Sequence, residues 1–304
     1  MIKKLSHNKN TWIFASKPTE GELSDLARTY KIHPLVLEEL GRPTFRPKAE
    51  KIGPLLYVVL HFPVFRPEVE TSAGVEIDFV LGKNFLITAT HTHHAALGEF
   101  FDTIERDTVR AEKLFASHAG MVFHALLNHL YAFALRELDH IKIKIDRVDA
   151  ALAGDYTPEI VKEIFTIRRD LINFRRAVKP HATAINSLRA HGTELFGEPM
   201  VPYLEDIAGE YYKTWNMLEN HAETVQALYD AQVSYLSMRS AEITKKLTLV
   251  ALITFPLTLT ATVFSMKVAP DRIFGAPYDF LLIVGIIIAA VFAMRAAFKK
   301  RKWF

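Results

Sequence analysis

Four hydroxyl side chains recur at helical spacing near the C-terminus: Thr254, Thr258, Thr262 and Ser265, separated by 4, 4 and 3 residues. On an α-helix that spacing sets all four on one face. Toward the N-terminus the face continues through Ala251, Leu247 and Thr248, Thr244, Ser240 and Ser237, mostly small and polar. Hydroxyl and carbonyl oxygens on such a face can replace part of an ion's water shell when symmetric copies of the helix surround an axis, which makes the stripe a pore wall. The same composition suits close helix packing, and periodicity alone leaves both readings open. Phe255 borders the face and is placed to form a hydrophobic constriction, and Pro256 beside it removes one backbone hydrogen bond.

The element that must carry this stripe is a membrane helix. Leu247 to Met266 is a run of 20 residues without a charge, and about 20 residues at ~1.5 Å each match a hydrocarbon core of ~30 Å. A second apolar run, Phe280 to Phe298, is 19 residues long and holds one charge, Arg295, near enough to its end to snorkel. Lys245 and Lys246 precede the first run, and Lys299, Lys300, Arg301 and Lys302 follow the second, before Trp303. Basic flanks are retained inside, so both termini are expected in the cytoplasm, with the short link from Lys267 to Asp279 outside and the protein in the cell (inner) membrane.

Other groups able to do chemistry are weaker. His91, His93 and His94 cluster after a strand, where an i, i+2 pair can share a face and bind a transition metal; without a nearby carboxylate in the sequence they read as surface imidazoles. Arg168, Arg169, Arg175, Arg176 and Lys179 form a basic run, with Glu163 and Asp170 at helical pairing distance, which reads as a solvated face. Neither a phosphate-cradling glycine loop nor a nucleophile-base motif is present, so an enzyme is not expected, nor a covalent cofactor. The chain has 37 Lys and Arg against 34 Asp and Glu, and four of the basic residues lie in the run after the second span, so the excess marks topology rather than a nucleic-acid partner. Zero cysteines excludes disulfides and thiolate metal sites. The N-terminal segment lacks the apolar core of a secretory signal, so insertion is expected to use the C-terminal spans.

Residues 1–110 predict a small α/β domain. Trp12 to Ala15, Leu55 to Phe65, Val75 to Leu81 and Phe85 to Thr90 read as strands, the last two as a hairpin about Gly82-Lys83-Asn84. Glu20 to Ile32, with Thr19 as N-cap, and Pro34 to Leu40 read as helices. Residues 111–200 predict an antiparallel helical hairpin, Met121 to Ala153 and Glu159 to His191, interrupted at Pro180. Residues 201–246 predict a stalk helix running into the transmembrane hairpin and basic tail of 247–304. Along the stalk one phase, Ala222, Tyr229, Leu236 and Ile243, stays apolar, while its companion, Leu218, Val225, Gln232, Arg239 and Lys246, turns polar toward the membrane. That pattern suggests an oligomeric stalk with a wet interior.

The order of these parts resembles the CorA family of magnesium and divalent-cation transport proteins. The likeness lies in Lys245-Lys246-Leu247-Thr248, Phe255-Pro256-Leu257-Thr258 and Phe264-Ser265-Met266, in the tail Lys299-Lys300-Arg301-Lys302-Trp303-Phe304, and in Ile167-Arg168-Arg169 through Arg175-Arg176 and Pro180. It implies an α+β cytoplasmic domain with a long helical stalk and two C-terminal transmembrane helices in a CorA-like funnel, assembled as a homopentamer in the lipid bilayer around one axial pore. On that mapping Thr244, Leu247, Ala251, Thr254, Phe255, Thr258, Thr262 and Ser265 line the pore, with Leu247 and Phe255 at hydrophobic constrictions. Asp206 matches a stalk aspartate that binds a regulatory Mg2+ or other divalent cation between subunits, with Glu68, Glu70 or Asp78 of a neighbour as partner carboxylate. One departure stands out: at the external mouth Ser265, Met266 and Lys267 replace the family's Gly-Met-Asn. A lysine there reverses the local electrostatics, so the expectation of magnesium, cobalt, nickel or zinc transport stands beside two alternatives, a pore of altered or anion selectivity gated by a Lys267 ring, and a non-conducting membrane scaffold or sensor.

Overall fold

The computed structural model describes residues 1–66, 68, 71–152, 158–265 and 279–300. The chain divides into two compact units, Met1–Tyr229 and Asp230–Phe304.

The first unit is built on a six-stranded sheet. Its strands are β1 (Ile2–His7), β2 (Asn10–Ser16), β3 (Lys48–Ile52), β4 (Leu55–Arg66), β5 (Thr71–Leu81) and β6 (Phe85–Thr90), in spatial order β1-β2-β6-β5-β4-β3. Among the described residues only the β2–β6 pair is parallel. β4 and β5 lie inside the sheet with both faces covered, so they read as near-continuous apolar runs. The edge strands β1 and β3 carry Lys3, Lys4, Lys48 and Lys51, which discourage edge-to-edge pairing and also hide both strands from a hydrophobicity reading.

The two faces bury separate cores. One face presents Ile13, Ala15, Tyr57, Val59, Val80, Ile87 and Ala89 to two short helices, α1 (Glu20–Tyr30) and α2 (Pro34–Leu40). Thr19 caps α1 as expected, in a full capping box with Glu22. The opposite face presents Trp12, Phe14, Val58, Phe62, Ile77 and Phe79 to the larger core. Over it pack α3 (Ala95–Arg106), α4 (Thr108–Leu114), α5 (Ala119–Leu152), α6 (Pro158–Val178) and α7 (His181–Phe196). The interruption expected at Pro180 divides α6 from α7: Pro180 has no backbone N–H to donate and stands as the N-cap of α7.

After Gly197, whose φ of 86° ends α7, a 3-10 turn at Glu198–Met200 leads into α8 (Val201–Ser265). Leu204, Ile207, Tyr211, Leu218 and Val225 of α8 join the larger core. This corrects one part of the stalk reading: the Leu218 and Val225 phase is committed to the chain's own domain, where it covers the sheet-packing helices, and does not face a wet interior. In the second unit, α8 continues from Asp230 and α9 spans Asp279–Lys300.

Candidate functional site

The hydroxyl stripe lies on the last turns of α8. At 100° per residue, Thr244, Leu247, Ala251, Thr254, Phe255, Thr258, Thr262 and Ser265 fall within an arc of about 100°. Phe255 is 72% and Leu247 65% exposed in the single chain, as are Val250 and Leu259 by more than half. So much apolar surface is stable only against lipid or further protein. α8 carries 18 residues apolar enough to cross a membrane; the described part of α9 holds a shorter apolar stretch, Val284–Ala293.

The hydroxyl protons share one direction. Thr244, Thr248, Thr254, Thr258 and Thr262 each donate to the carbonyl oxygen four residues earlier, at 2.7 to 2.9 Å. A hydroxyl has one proton and two lone pairs. With the proton turned back into the helix, the oxygens of Thr244, Thr248, Thr254 and Thr258 keep lone pairs that can accept. Pro256 lies within this stretch and leaves the Leu252 carbonyl without its helical donor. Met266 and Lys267 lie outside the described residues, and Ser265 is the last residue of α8.

Asp206 lies on α8 in the first unit. His124 Nε2 and Asn128 Nδ2, both on α5, each approach its Oδ2 at 2.7 Å. Those two hydrogen bonds, Asn128 first, hold the carboxyl below the usual range. Tyr203 packs its ring edge-on to His124 at 5.0 Å. Glu68 is exposed and Glu70 lies outside the described residues. Asp78 is fully buried and accepts from the Tyr57 hydroxyl at 2.7 Å, so it is closed to a neighbouring subunit and drops out as the partner carboxylate.

Asp78 instead belongs to a polar group on the α1–α2 face. The β5–β6 register sets Asp78 opposite Ala89, and carried on by two residues it sets Glu76 opposite His91. On the other side His61 of β4 pairs with Glu76, and its Nε2 lies 3.3 Å from Glu76 Oε2, which also accepts from the Thr44 amide at 2.7 Å. Burial, then the neighbouring Glu76 charge, raises the Asp78 carboxyl to about 8, and the Tyr57 hydrogen bond opposes that shift. The histidine cluster is therefore corrected: only His93 is a surface imidazole. His94 is buried and caps α3 by accepting from the Leu97 amide, and His91 has the carboxylate neighbours that the linear sequence did not reveal.

The basic run on α6 is solvent-exposed as expected, with Arg175 paired to Glu219 at 2.8 Å and Arg168 5.5 Å from the Tyr229 ring centre. Asp170, by contrast, is buried and faces Lys144 of α5 at 3.5 Å and the Ser72 amide of β5.

An α/β unit is joined by one continuous helix to an apolar segment long enough to cross a membrane. The sequence profile of the family described as CorA-like Mg2+ transporter protein matches residues 7–300. The chain belongs to this family of membrane transport proteins, which are not enzymes. It is 25% identical over 302 residues to the cobalt/magnesium transport protein CorA of Thermotoga maritima, covering 95% of this chain and 84% of that one. Its fold matches the complete CorA magnesium transporter of Methanocaldococcus jannaschii with a TM-score of 0.83 at 17% identity, over 99% of this chain and 94% of the other. The cytoplasmic domain of ZntB from Vibrio parahaemolyticus matches with a TM-score of 0.61 at 12% identity, over 76% of this chain and 90% of that domain.

Proposed function

We propose that the chain forms a homopentamer in the cell membrane and conducts a divalent metal cation through an axial pore lined by the α8 hydroxyl face. α9 faces lipid, and both termini lie in the cytoplasm. Leu247 and Phe255 are the constrictions, Thr244, Ala251, Thr254, Thr258, Thr262 and Ser265 the polar wall, and Ser265, Met266 and Lys267 the external mouth. Asp206 is a regulatory divalent-cation ligand. No protein energy source is needed, since an inward-negative potential drives the ion.

The observation that carries this reading is the match of the CorA-like Mg2+ transporter family over residues 7–300, together with the single arc on which the α8 hydroxyls fall. Thr254 and Thr258 donate back to the preceding turn and keep oxygen lone pairs, which in such a pore would accept from the water shell of a hydrated cation. The cobalt and magnesium named for the Thermotoga relative suggest the ions to try first. Uptake by reconstituted vesicles under an inward-negative potential tests it: flux of magnesium, cobalt, nickel or zinc is expected, and none of the four moving would sink it.

Lys267 supports a second reading, in which the same pore excludes divalent cations or selects anions, because a ring of ammonium groups attracts negative charge at the mouth. Anion conductance without divalent flux favours that reading. A pentamer silent under every ionic condition would instead be a scaffold or sensor.

A further inference from the structure

The α1–α2 face of the sheet holds three metal-ligating side chains that the pore reading does not use. One ligand atom from each of Glu76, Asp78 and His91 lies within 4.8 Å of the others. We propose that these residues bind a divalent transition-metal ion, of the zinc, cobalt or nickel class, at a site in the first unit distinct from the pore and from Asp206.

The first support is what remains unpaired. Asp78 is fully buried, and while its Oδ1 accepts from Tyr57, its Oδ2 has no hydrogen-bond partner. Glu76 has a side chain only 9% exposed, with Oε2 held by the Thr44 amide and His61 and with Oε1 unpartnered. His91 Nε2 is buried and unpartnered too. A buried polar atom left unpaired carries its full desolvation penalty. The two neighbouring carboxylates repel each other, and a cation or protons between them would relieve that repulsion.

The second support is the shell behind them. Tyr57, Thr44 and His61 each fix one oxygen of a carboxylate and leave the other to point elsewhere, which is how outer hydrogen bonds orient metal ligands. A metal at ~2.0–2.2 Å from each ligand needs separations of about 3–4 Å, so small side-chain rotations close the set. A groove of about 510 Å³, lined in part by Thr44, His61, Glu76 and His91, gives access from solvent.

The donor set selects the ion. Two carboxylates neutralise a dication, and an imidazole nitrogen favours zinc, cobalt or nickel over magnesium, which prefers oxygen and keeps its waters. Carboxyl protons are the competing occupants, since a protonated Asp78 also relieves the repulsion.

The test uses the full-length protein in detergent with Co2+ as probe, followed by its visible absorption. The wild type is expected to take up one more tight Co2+ per chain than His91→Gln or Asp78→Asn, each variant weakening that site by ~100-fold or more. Asp206→Asn and Thr258→Val should retain it, and millimolar Mg2+ should leave it filled. Equal Co2+ binding by the wild type and His91→Gln overturns the proposal, as does displacement by Mg2+. His91 is partly exposed at the end of β6, so its variant carries the test even if Asp78→Asn fails to fold. Binding is read without flux, so failure here leaves the pore reading standing, and failure of transport leaves this site standing.

Discussion

His124 on α5 and Asp206 on α8 share a 2.7 Å hydrogen bond, and Asn128, one turn along α5, reaches the same carboxylate oxygen at 2.7 Å. The contact ties the start of α8 to the longest helix over the sheet. Asp206 is half-exposed, with 53% of its side chain open, so solvent screens much of the gain. Asp206→Ala should cost about 0.5–1.5 kcal/mol, the usual range for such hydrogen bonds, and lower the thermal midpoint. If the carboxylate also holds a regulatory ion, millimolar Mg2+ should raise the midpoint of the wild type and leave Asp206→Asn unmoved.

His181 gives the first unit a pH dependence. It is fully buried, with Nδ1 facing the Tyr131 hydroxyl at 2.9 Å and Nε2 at 3.0 Å from the His61 carbonyl. The His61 amide is also 3.3 Å from Nε2, but one nitrogen cannot both donate and accept. The shorter carbonyl contact sets the tautomer: Nε2–H donates to it and Nδ1 accepts from Tyr131. Burial lowers the imidazole to about 3, and burial likewise lowers His94 to about 4. As pH falls below about 6.5 the unfolded chain takes up protons that the folded chain refuses, so each histidine withdraws about 1.4 kcal/mol per pH unit until its folded value is reached. Asp78, raised to about 8, runs the other way, because its folded form keeps a proton that the unfolded chain loses. A comparison with His181→Asn isolates one group: between pH 6 and 4 the wild type should lose stability more steeply by about 1.4 kcal/mol per unit, read from denaturant midpoints.

What the sequence revealed depends on how local the signal is. The inner strands β4, β5 and β6, the Thr19 cap and α2 were legible because apolar runs, a capping pair and an N-terminal proline act over a few residues. β1 and β3 were not, since lysines that protect an edge erase its hydrophobic pattern. The hydroxyl stripe is a within-helix spacing and could be read directly, whereas the direction of its protons is a rotamer property. Glu76 and His91 are 15 residues apart in sequence, and only the β5–β6 register makes them neighbours. Asp78 reads from sequence as an available acid for the same reason: its burial comes from the elements packed on that face, which its own strand does not announce.

Lys267→Asn tests the external mouth. At about 8 Å one lysine repels a dication by ~1 kcal/mol in a water-like dielectric, so five would oppose its approach by roughly 5 kcal/mol before salt screening. If the ring faces the axis, the asparagine variant should raise divalent flux in vesicles by at least tenfold at low salt, with a smaller gain at high salt. An unchanged cation flux would mean that the ammonium groups turn away from the path. Loss of an anion current would make the lysine a selectivity element instead.

Thr258 offers the sharpest test of the cation reading. Its hydroxyl donates to the Thr254 carbonyl at 2.9 Å, and Thr254 in turn donates to Val250 at 2.9 Å, so the two form a ladder of acceptors. Thr258→Val keeps the shape and the helix but replaces the oxygen with a methyl group. Thr258→Ser keeps the oxygen and its back-bond. In a symmetric pore one substitution removes a whole ring of acceptors, and losing even ~1.4 kcal/mol of stabilisation along the path slows passage about tenfold. Divalent flux should therefore fall by about tenfold or more in Thr258→Val and stay near wild type in Thr258→Ser, with equal amounts of assembled protein in both. Equal flux in the valine and serine variants would show that the hydroxyl face serves helix packing, the other use to which small polar residues on a membrane helix are put.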